Sequence, residues 1–224
     1  SQQEAVVKGL YAKDLCLLQG PPGTGKTTVI SELIWQHIRK NQQIRMMLTS
    51  QTNLAIDNAL NRLFSNSAVK EGSSAWRNMM LIKPIRKADS EKIEEEGQPF
   101  TKERIDDWIA SKDEEKSSNN IVCRWMNHIA QRVEEKDFYE DILSEWKSSL
   151  NNPSLSMREI FAHQYLQDSN VLCMTCGKVD SKDFNDYEKG EGFDVVIVDE
   201  ASKATLPELL MPLCFGKKSI VIGD

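Results

Sequence analysis

The sequence predicts an α/β protein: a parallel β-sheet covered by helices on both faces, carrying an inserted, mostly helical subdomain. Three observations predict it. Short apolar runs alternate with amphipathic stretches over residues 1–86 and again over 168–224, the rhythm of a parallel sheet with helical crossovers. Over residues 87–167 that rhythm gives way to a charged, helix-periodic pattern. The length, 224 residues with 40% hydrophobic side chains, suits one large domain with a sizeable insertion.

Each element has its own local reason. Residues 2–11 read as a short helix and residues 14–19 (DLCLLQ) as a buried strand. After a glycine-rich turn, residues 26–40 place Val29, Ile30, Leu33, Ile34 and Ile38 on one helical face. Residues 44–49 form an apolar strand, and residues 53–64 a helix carrying Leu54, Ile56, Leu60 and Leu63. Residues 79–85 read as a third strand. The α/β rhythm resumes with apolar strands at 170–175 (NVLCMT) and 194–198 (DVVIV), a helix over 206–214, and a strand at 219–222 (SIVI). A chain stopping just beyond a strand is expected to be part of something longer.

The insertion divides at turn-rich breaks near residues 97–99, 117–120 and 151–154. Val122, Trp125, Met126, Ile129 and Val133 share one helical face, and Ile142, Trp146 and Leu150 another. Trp108, Trp125 and Trp146 are expected to anchor a small core. The formal net charge of −6 is unevenly spread: residues 87–167 hold 18 acidic and 11 basic side chains, and the remainder is nearly neutral. The acidity therefore belongs to the insertion and does not decide what the sheet domain binds.

No apolar run approaches a membrane span, the first residues lack a signal-peptide layout, and five irregularly spaced Cys are no disulfide framework. The expectation is an intracellular protein without a membrane partner, in the cytoplasm, or in the nucleus of a eukaryote. Cys173 and Cys176 have zinc-like spacing but no second pair. His37, His128 and His163 stand apart on helical stretches.

Residues 20–27 read GPPGTGKT, the complete Walker A pattern between a strand and an amphipathic helix. Glycines let the backbone turn its N–H groups onto phosphate oxygens, where the anion also meets the positive end of the following helix. Lys26 would reach the β- and γ-phosphates, and the Thr27 hydroxyl would ligate Mg²⁺. The apolar strand at 194–198 delivers Asp199 and Glu200 to the ligand edge of the sheet, a Walker B arrangement. Asp199 would hold Mg²⁺ and Glu200 would polarise the attacking water. Together the motifs indicate a P-loop NTPase that cleaves a phosphate, with catalytic residues Lys26, Asp199 and Glu200.

The order Ser1-Gln2-x-x-Ala5-Val6, GPPGTGKT, QTNLAIDN at 51–58, VLCMT at 171–175, DVVIVDEASKAT at 194–205 and IVIGD at 220–224 resembles superfamily 1B helicases of the up-frameshift-like branch. The resemblance covers the chain except the acidic insertion. It implies a RecA-like motor domain formed by residues 1–86 and 168–224, with an accessory subdomain at 87–167 in the place where relatives carry one over the nucleic-acid channel. It implies an ATP site made by Gln2, Gly20, Pro21, Pro22, Gly23, Thr24, Gly25, Lys26, Thr27, Thr28, Lys203 and Asp224, with Mg²⁺ at Thr27 and Asp199. Gln2 matches the glutamine whose amide reads adenine, although it also fits an ordinary first helical turn. Thr52, Asn53 and Thr175 match residues that contact the nucleic-acid backbone. Asn53 could equally cap the helix beginning at Leu54, and Thr175 could be a strand-end hydroxyl in a turn. Gly223 and Asp224 match the start of the motif that couples the two sites.

Two departures accompany the match. The family's motif runs Asp-Glu-x-x-Gln, and Lys203 stands where that Gln senses the γ-phosphate. A lysine donates but does not accept. The second RecA-like domain, which supplies arginines to the γ-phosphate in this family, is expected from sequence beyond these residues. The expected function is ATP-dependent translocation on single-stranded DNA or RNA, moving 5′ to 3′, with a protein partner open to the insertion. A non-hydrolysing ATP-binding scaffold is the alternative. A GTPase would need an Asn-Lys-x-Asp run, and a small-molecule kinase an arginine-bearing lid. The sequence has no such run, and the acidic insertion makes a poor lid.

Overall fold

The computed structural model describes residues 1–65, 81–82, 102–110, scattered positions between 122 and 149, 153–179, 184–185, 190 and 192–224. In chain order the elements are α1 (Gln2–Tyr11), β1 (Leu15–Gln19), α2 (Lys26–Lys40), β2 (Met46–Ser50), α3 (Asn53–Phe64) and β3 (Leu81–Ile82). There follow α4 (Lys102–Ala110), α5 (Leu155–Asp168), β4 (Val171–Thr175), β5 (Val195–Val198), α6 (Leu206–Leu213) and β6 (Ser219–Gly223). Single 3₁₀ turns lie at Cys176–Lys178 and Ala201–Lys203. The chain forms two compact units, one of Ser1–Pro84 with Ser169–Asp224, the other of Ile85–Asp168.

The first unit is built on a six-stranded sheet of order β1-β6-β5-β2-β4-β3, parallel throughout. Strands β2 and β5 are buried at every position. Strands with no exposed face need cover on both sides, which explains why they read as continuous apolar runs rather than alternating ones. Helix α2 buries all five residues of its predicted face. Ser31 on that helix lies 2.8 Å from the Thr27 carbonyl and 2.9 Å from that of Ala59 on α3, tying the two helices together. Asn170 enters β4 with its side-chain amide donated to the carbonyls of Gln42 and Ile44, so the turn before β2 and the start of β4 are fixed as one piece.

Several expectations change in detail. The run DLCLLQ is not a buried strand: β1 has a neighbour, β6, on one side only among the described strands, and Leu17 is 70% exposed. Leu54 also faces solvent, because the buried stripe of α3 is Ile56, Ala59, Leu60 and Leu63. Helix α3 starts at Asn53, one residue earlier than the Asn53 cap reading requires, and the cap is Thr52, whose hydroxyl accepts from the Ala55 amide. Of the expected third strand, residues 79, 80 and 83–85 lie outside the described residues.

In the second unit, α4 and α5 pack together. Ile105 and Trp108 are buried, and the Arg158 guanidinium lies 5.6 Å from the Trp108 ring centre while donating to the Trp108 carbonyl. Val122 and Met126 are buried, and Trp125 meets Tyr165 edge-on at 5.9 Å. Two of the three tryptophans thus serve packing. Val133, Ile142, Trp146 and Leu150 lie outside the described residues.

Candidate nucleotide-binding site

Parallel strands put all their carboxyl ends along one edge, and loops leaving that edge converge. Here β1 ends in the glycine loop, β6 in Gly223 and Asp224, β5 in Asp199 and Glu200, and β2 in Gln51 and Thr52. Thr175 ends β4 in register with Ser50 of β2. Strand order then sets the neighbours: β6 lies between the glycine loop's strand and the acidic pair's strand.

The loop turns sharply at its glycines. Gly23 and Gly25 have φ of 79° and 85°, a left-handed backbone that side-chained residues rarely adopt. The Thr24 hydroxyl donates to the Pro21 carbonyl at 2.8 Å, closing a turn, and the Gly20 amide reaches the Gly223 carbonyl of β6 at 3.0 Å. Gly25 is the N-cap of α2, so the loop runs directly into that helix's N-terminus. Lys26 bends back over the loop, donating to the Gly20 carbonyl at 2.6 Å and pairing with the Asp224 carboxylate. Thr27 and Thr28 follow in the first turn of α2, partly exposed, while Pro21, Pro22 and Thr24 are open to solvent.

Gln2 comes to the same loop from α1. Its side-chain amide donates to the Thr24 carbonyl at 2.9 Å, and a Cβ on Gly25 would stand only 2.1 Å from its nitrogen. Gln2 is thus a first-turn helix residue whose amide donates to the glycine loop. A cavity of about 330 Å³ opens there, lined by Gln2, Ala5, Leu18, Pro21, Thr24 and Val29 among others. Its lining mixes apolar side chains (Ala5, Leu18, Val29, Ile222) with the amides of Gln2 and Gln19, which suits a flat ring with polar edges.

Asp199 is 7% exposed. Burial pushes its carboxyl above the usual aspartate range, partly offset by the Glu200 amide donated to Oδ1 at 2.8 Å; the Glu200 charge also raises it, and Lys26 and Lys203 draw it down. A nearly buried carboxylate lifted in this way is a group that a cation would relieve. The carboxylate of Asp199 and the hydroxyl of Thr27 are the hard oxygen donors that Mg²⁺ takes, so the residues present fit that ion. Among the described residues no cluster of three acidic, His or Cys side chains forms a metal centre.

Glu200 has φ of 53°, the one side-chained residue with positive φ among those described. Its carboxylate pairs with Lys203, accepts from the Thr52 hydroxyl at 3.2 Å, and lies 3.5 Å from the Ser50 hydroxyl. Strain of this kind gathers at functional positions. Asn53 opens α3 beside these groups. The sequence reading missed Ser50 and Ser202. The latter's hydroxyl accepts from the Asp224 amide at 3.4 Å and packs against Gly223, joining the loop after β5 to the end of β6. Neither serine carries a spacing signal; strand order alone brings them in. Cys176 is buried and receives the Thr49 hydroxyl at 3.2 Å, a packing role rather than a zinc site.

Comparison with known proteins follows the same lines. The family model described as "AAA domain" matches residues 1–224. An uncharacterized ATP-dependent helicase of Methanocaldococcus jannaschii is 29% identical over all of this chain and 36% of its own length. The DNA polymerase alpha-associated DNA helicase A of Schizosaccharomyces pombe is 28% identical over all of this chain and 31% of its own. The regulator of nonsense transcripts 1 homolog of Arabidopsis thaliana is 25% identical, again over the whole chain, and 15% of its own length is covered. The chain thus spans about a third or less of these relatives. Since the match runs unbroken through the glycine loop and the acidic strand end, the chain belongs to the AAA-domain family, in its branch of up-frameshift-like superfamily 1 helicases with a RecA-like P-loop fold.

Proposed function

We propose that this chain is the first RecA-like motor domain of an ATP-dependent nucleic-acid helicase or translocase, with residues 87–167 as an accessory insertion. The observation that carries the reading is the convergence of Lys26, Asp199, Glu200 and Asp224 at one sheet edge, beside the Gln2 cavity. Adenine takes that cavity, and the phosphates take the amides of Gly23 and Gly25 and the ammonium of Lys26, since Pro21 and Pro22 have no N–H and the Gly20 and Thr24 amides are bonded to the Gly223 and Pro21 carbonyls. The incoming phosphates displace Asp224 from Lys26, exchanging one anionic partner for another. Thr27 and Asp199 would hold Mg²⁺, which would supply charge neutralisation when bound. Glu200 accepts the proton of the attacking water as its oxygen bonds to the γ-phosphorus, the β–γ bridge breaks, and ADP departs. Thr52, Asn53 and Thr175, at the ends of the neighbouring strands β2 and β4, hold the backbone of a single strand, which gives binding with little sequence preference.

A second RecA-like domain of the same polypeptide completes the site by bringing arginine to the γ-phosphate, a contribution worth roughly 10³–10⁵ in rate in comparable enzymes. The 224 residues alone accordingly bind nucleotide and turn it over poorly. The test is steady-state ATP hydrolysis by the full-length protein with no nucleic acid, with single-stranded DNA and with single-stranded RNA, at stated salt. Strong stimulation by a strand supports the motor and identifies its track. Turnover indifferent to both, or absent, favours the scaffold. Glu200→Gln is expected to trap ATP on the motor while leaving a scaffold unaltered.

A further inference from the structure

Glu200 is surrounded by donors. Its Oε1 takes the Lys203 ammonium, while Oε2 accepts from the Thr52 hydroxyl at 3.2 Å with Ser50 at 3.5 Å. A water molecule that must give Glu200 a hydrogen bond and then a proton finds both oxygens engaged. The two main donors differ in kind. Lys203 is 59% exposed and sits one 3₁₀ turn along the same loop, so its pairing is local. Thr52 comes from β2's end, and its hydroxyl carries a single hydrogen. That hydrogen goes to Glu200 or to a phosphate oxygen of a docked strand, never to both. The Thr52 oxygen meanwhile still accepts from the Ala55 amide at 3.3 Å, so α3 keeps its cap in either state.

We propose that Lys203 and Thr52 clamp the Glu200 carboxylate, and that a strand docking on Thr52 loosens the clamp, making hydrolysis depend on nucleic acid. Both act as positioning residues through Glu200. The inference rests on the roles given above to Glu200 and Thr52. Lysine in the place of the family's glutamine then has a meaning of its own: it holds the basal state closed more firmly than a neutral amide does.

The test uses the full-length protein and a fluorescent single-stranded oligonucleotide of mixed sequence, as DNA and as RNA. Lys203→Gln and Thr52→Val are each expected to raise strand-free ATP turnover a few-fold, the modest change that losing one exposed donor to Glu200 allows. The strand-saturated rate does not rise with it, so the stimulation ratio falls. Thr52→Ser keeps the hydroxyl and retains the wild-type ratio. A residue with a purely structural role would lower both rates together. Binding supplies a reading independent of turnover, because coupling is reciprocal. Without nucleotide, Glu200→Ala is expected to tighten the oligonucleotide a few-fold by freeing the Thr52 hydroxyl, and the gain is expected to vanish in a Thr52→Val background. A gain that survives there reflects bulk charge and overturns the clamp. So does an unchanged stimulation ratio in Lys203→Gln and Thr52→Val. If Glu200→Gln itself keeps full turnover, the assignment of the base has failed and the clamp fails with it. If Glu200→Gln is inactive but the ratios do not move, only the clamp is lost.

Discussion

At position 25 a side chain is excluded for two reasons. The backbone is left-handed there, with φ of 85°, and the Gln2 amide occupies the space of a Cβ. Gly25→Ala is expected to cost roughly 1–2 kcal/mol of stability in chemical denaturation, and to weaken ATP binding in titration calorimetry by pushing Gln2 off the loop. Asp199 predicts the opposite pairing of effects. Its burial penalises the charged form, so the ligand-free fold favours the protonated acid: stability is fullest below the ordinary aspartate value and is lost as pH rises through the raised folded value. Asp199→Asn removes that penalty while keeping an acceptor for the Glu200 amide. The melting midpoint of the ligand-free protein is expected to rise, by about 0.5–1 kcal/mol equivalent, while Mg²⁺-dependent turnover disappears. Both residues were legible in the sequence because their motifs are contiguous runs with local geometric requirements. The Thr52–Glu200 hydrogen bond was not, because 148 residues separate its partners and only strand pairing brings them together.

Among the elements, α2 was the most legible and β1 the least. A fifteen-residue amphipathic helix announces its buried face through its period. A short apolar strand does not announce whether it has one neighbour or two, and this is why DLCLLQ reads as buried although Leu15 and Leu17 are open. Helix α2 also carries a titrating group. His37 is buried, and that burial holds its imidazole below the usual histidine range; Nδ1–H donates to the Leu33 carbonyl at 2.8 Å and the Lys218 ammonium lies 3.5 Å from Nε2. The folded protein therefore resists a proton that the unfolded chain takes up near pH 6.5. Stability contributed by neutral His37 is present above that pH and lost as pH falls through the depressed folded value. Denaturation midpoints measured from pH 7.5 down to 5.5 are expected to decline more in the wild type than in His37→Gln, with the difference between their slopes disappearing above about pH 7.

For the molecule as a whole, charge was legible from the sequence but its consequence was not. The acidic side chains concentrate in residues 87–167, leaving the sheet unit nearly neutral, and on the proposed reading the strand is held by placed donors such as Thr52, Asn53 and Thr175. Strand affinity is therefore expected to show a shallow salt dependence, equivalent to few phosphate contacts, in anisotropy titrations across about 50–200 mM salt. Replacing residues 87–167 by a short linker is expected to leave ATP affinity unchanged and to alter unwinding; unchanged strand affinity and unwinding together would show that the insertion takes no part in handling the strand. The sheet order has one more consequence. The strand that launches the glycine loop pairs with β6, some 200 residues later in the chain, so the pairing closes a very long loop. Contacts of such sequence separation form late and slowly. During synthesis the glycine loop emerges from the ribosome well before the strand that docks it, and through that interval the nascent chain carries the nucleotide motif without a nucleotide site. On the proposed reading ATP is thereby a ligand of the paired strands β1 and β6, able to stabilise the protein only once β6 is in place.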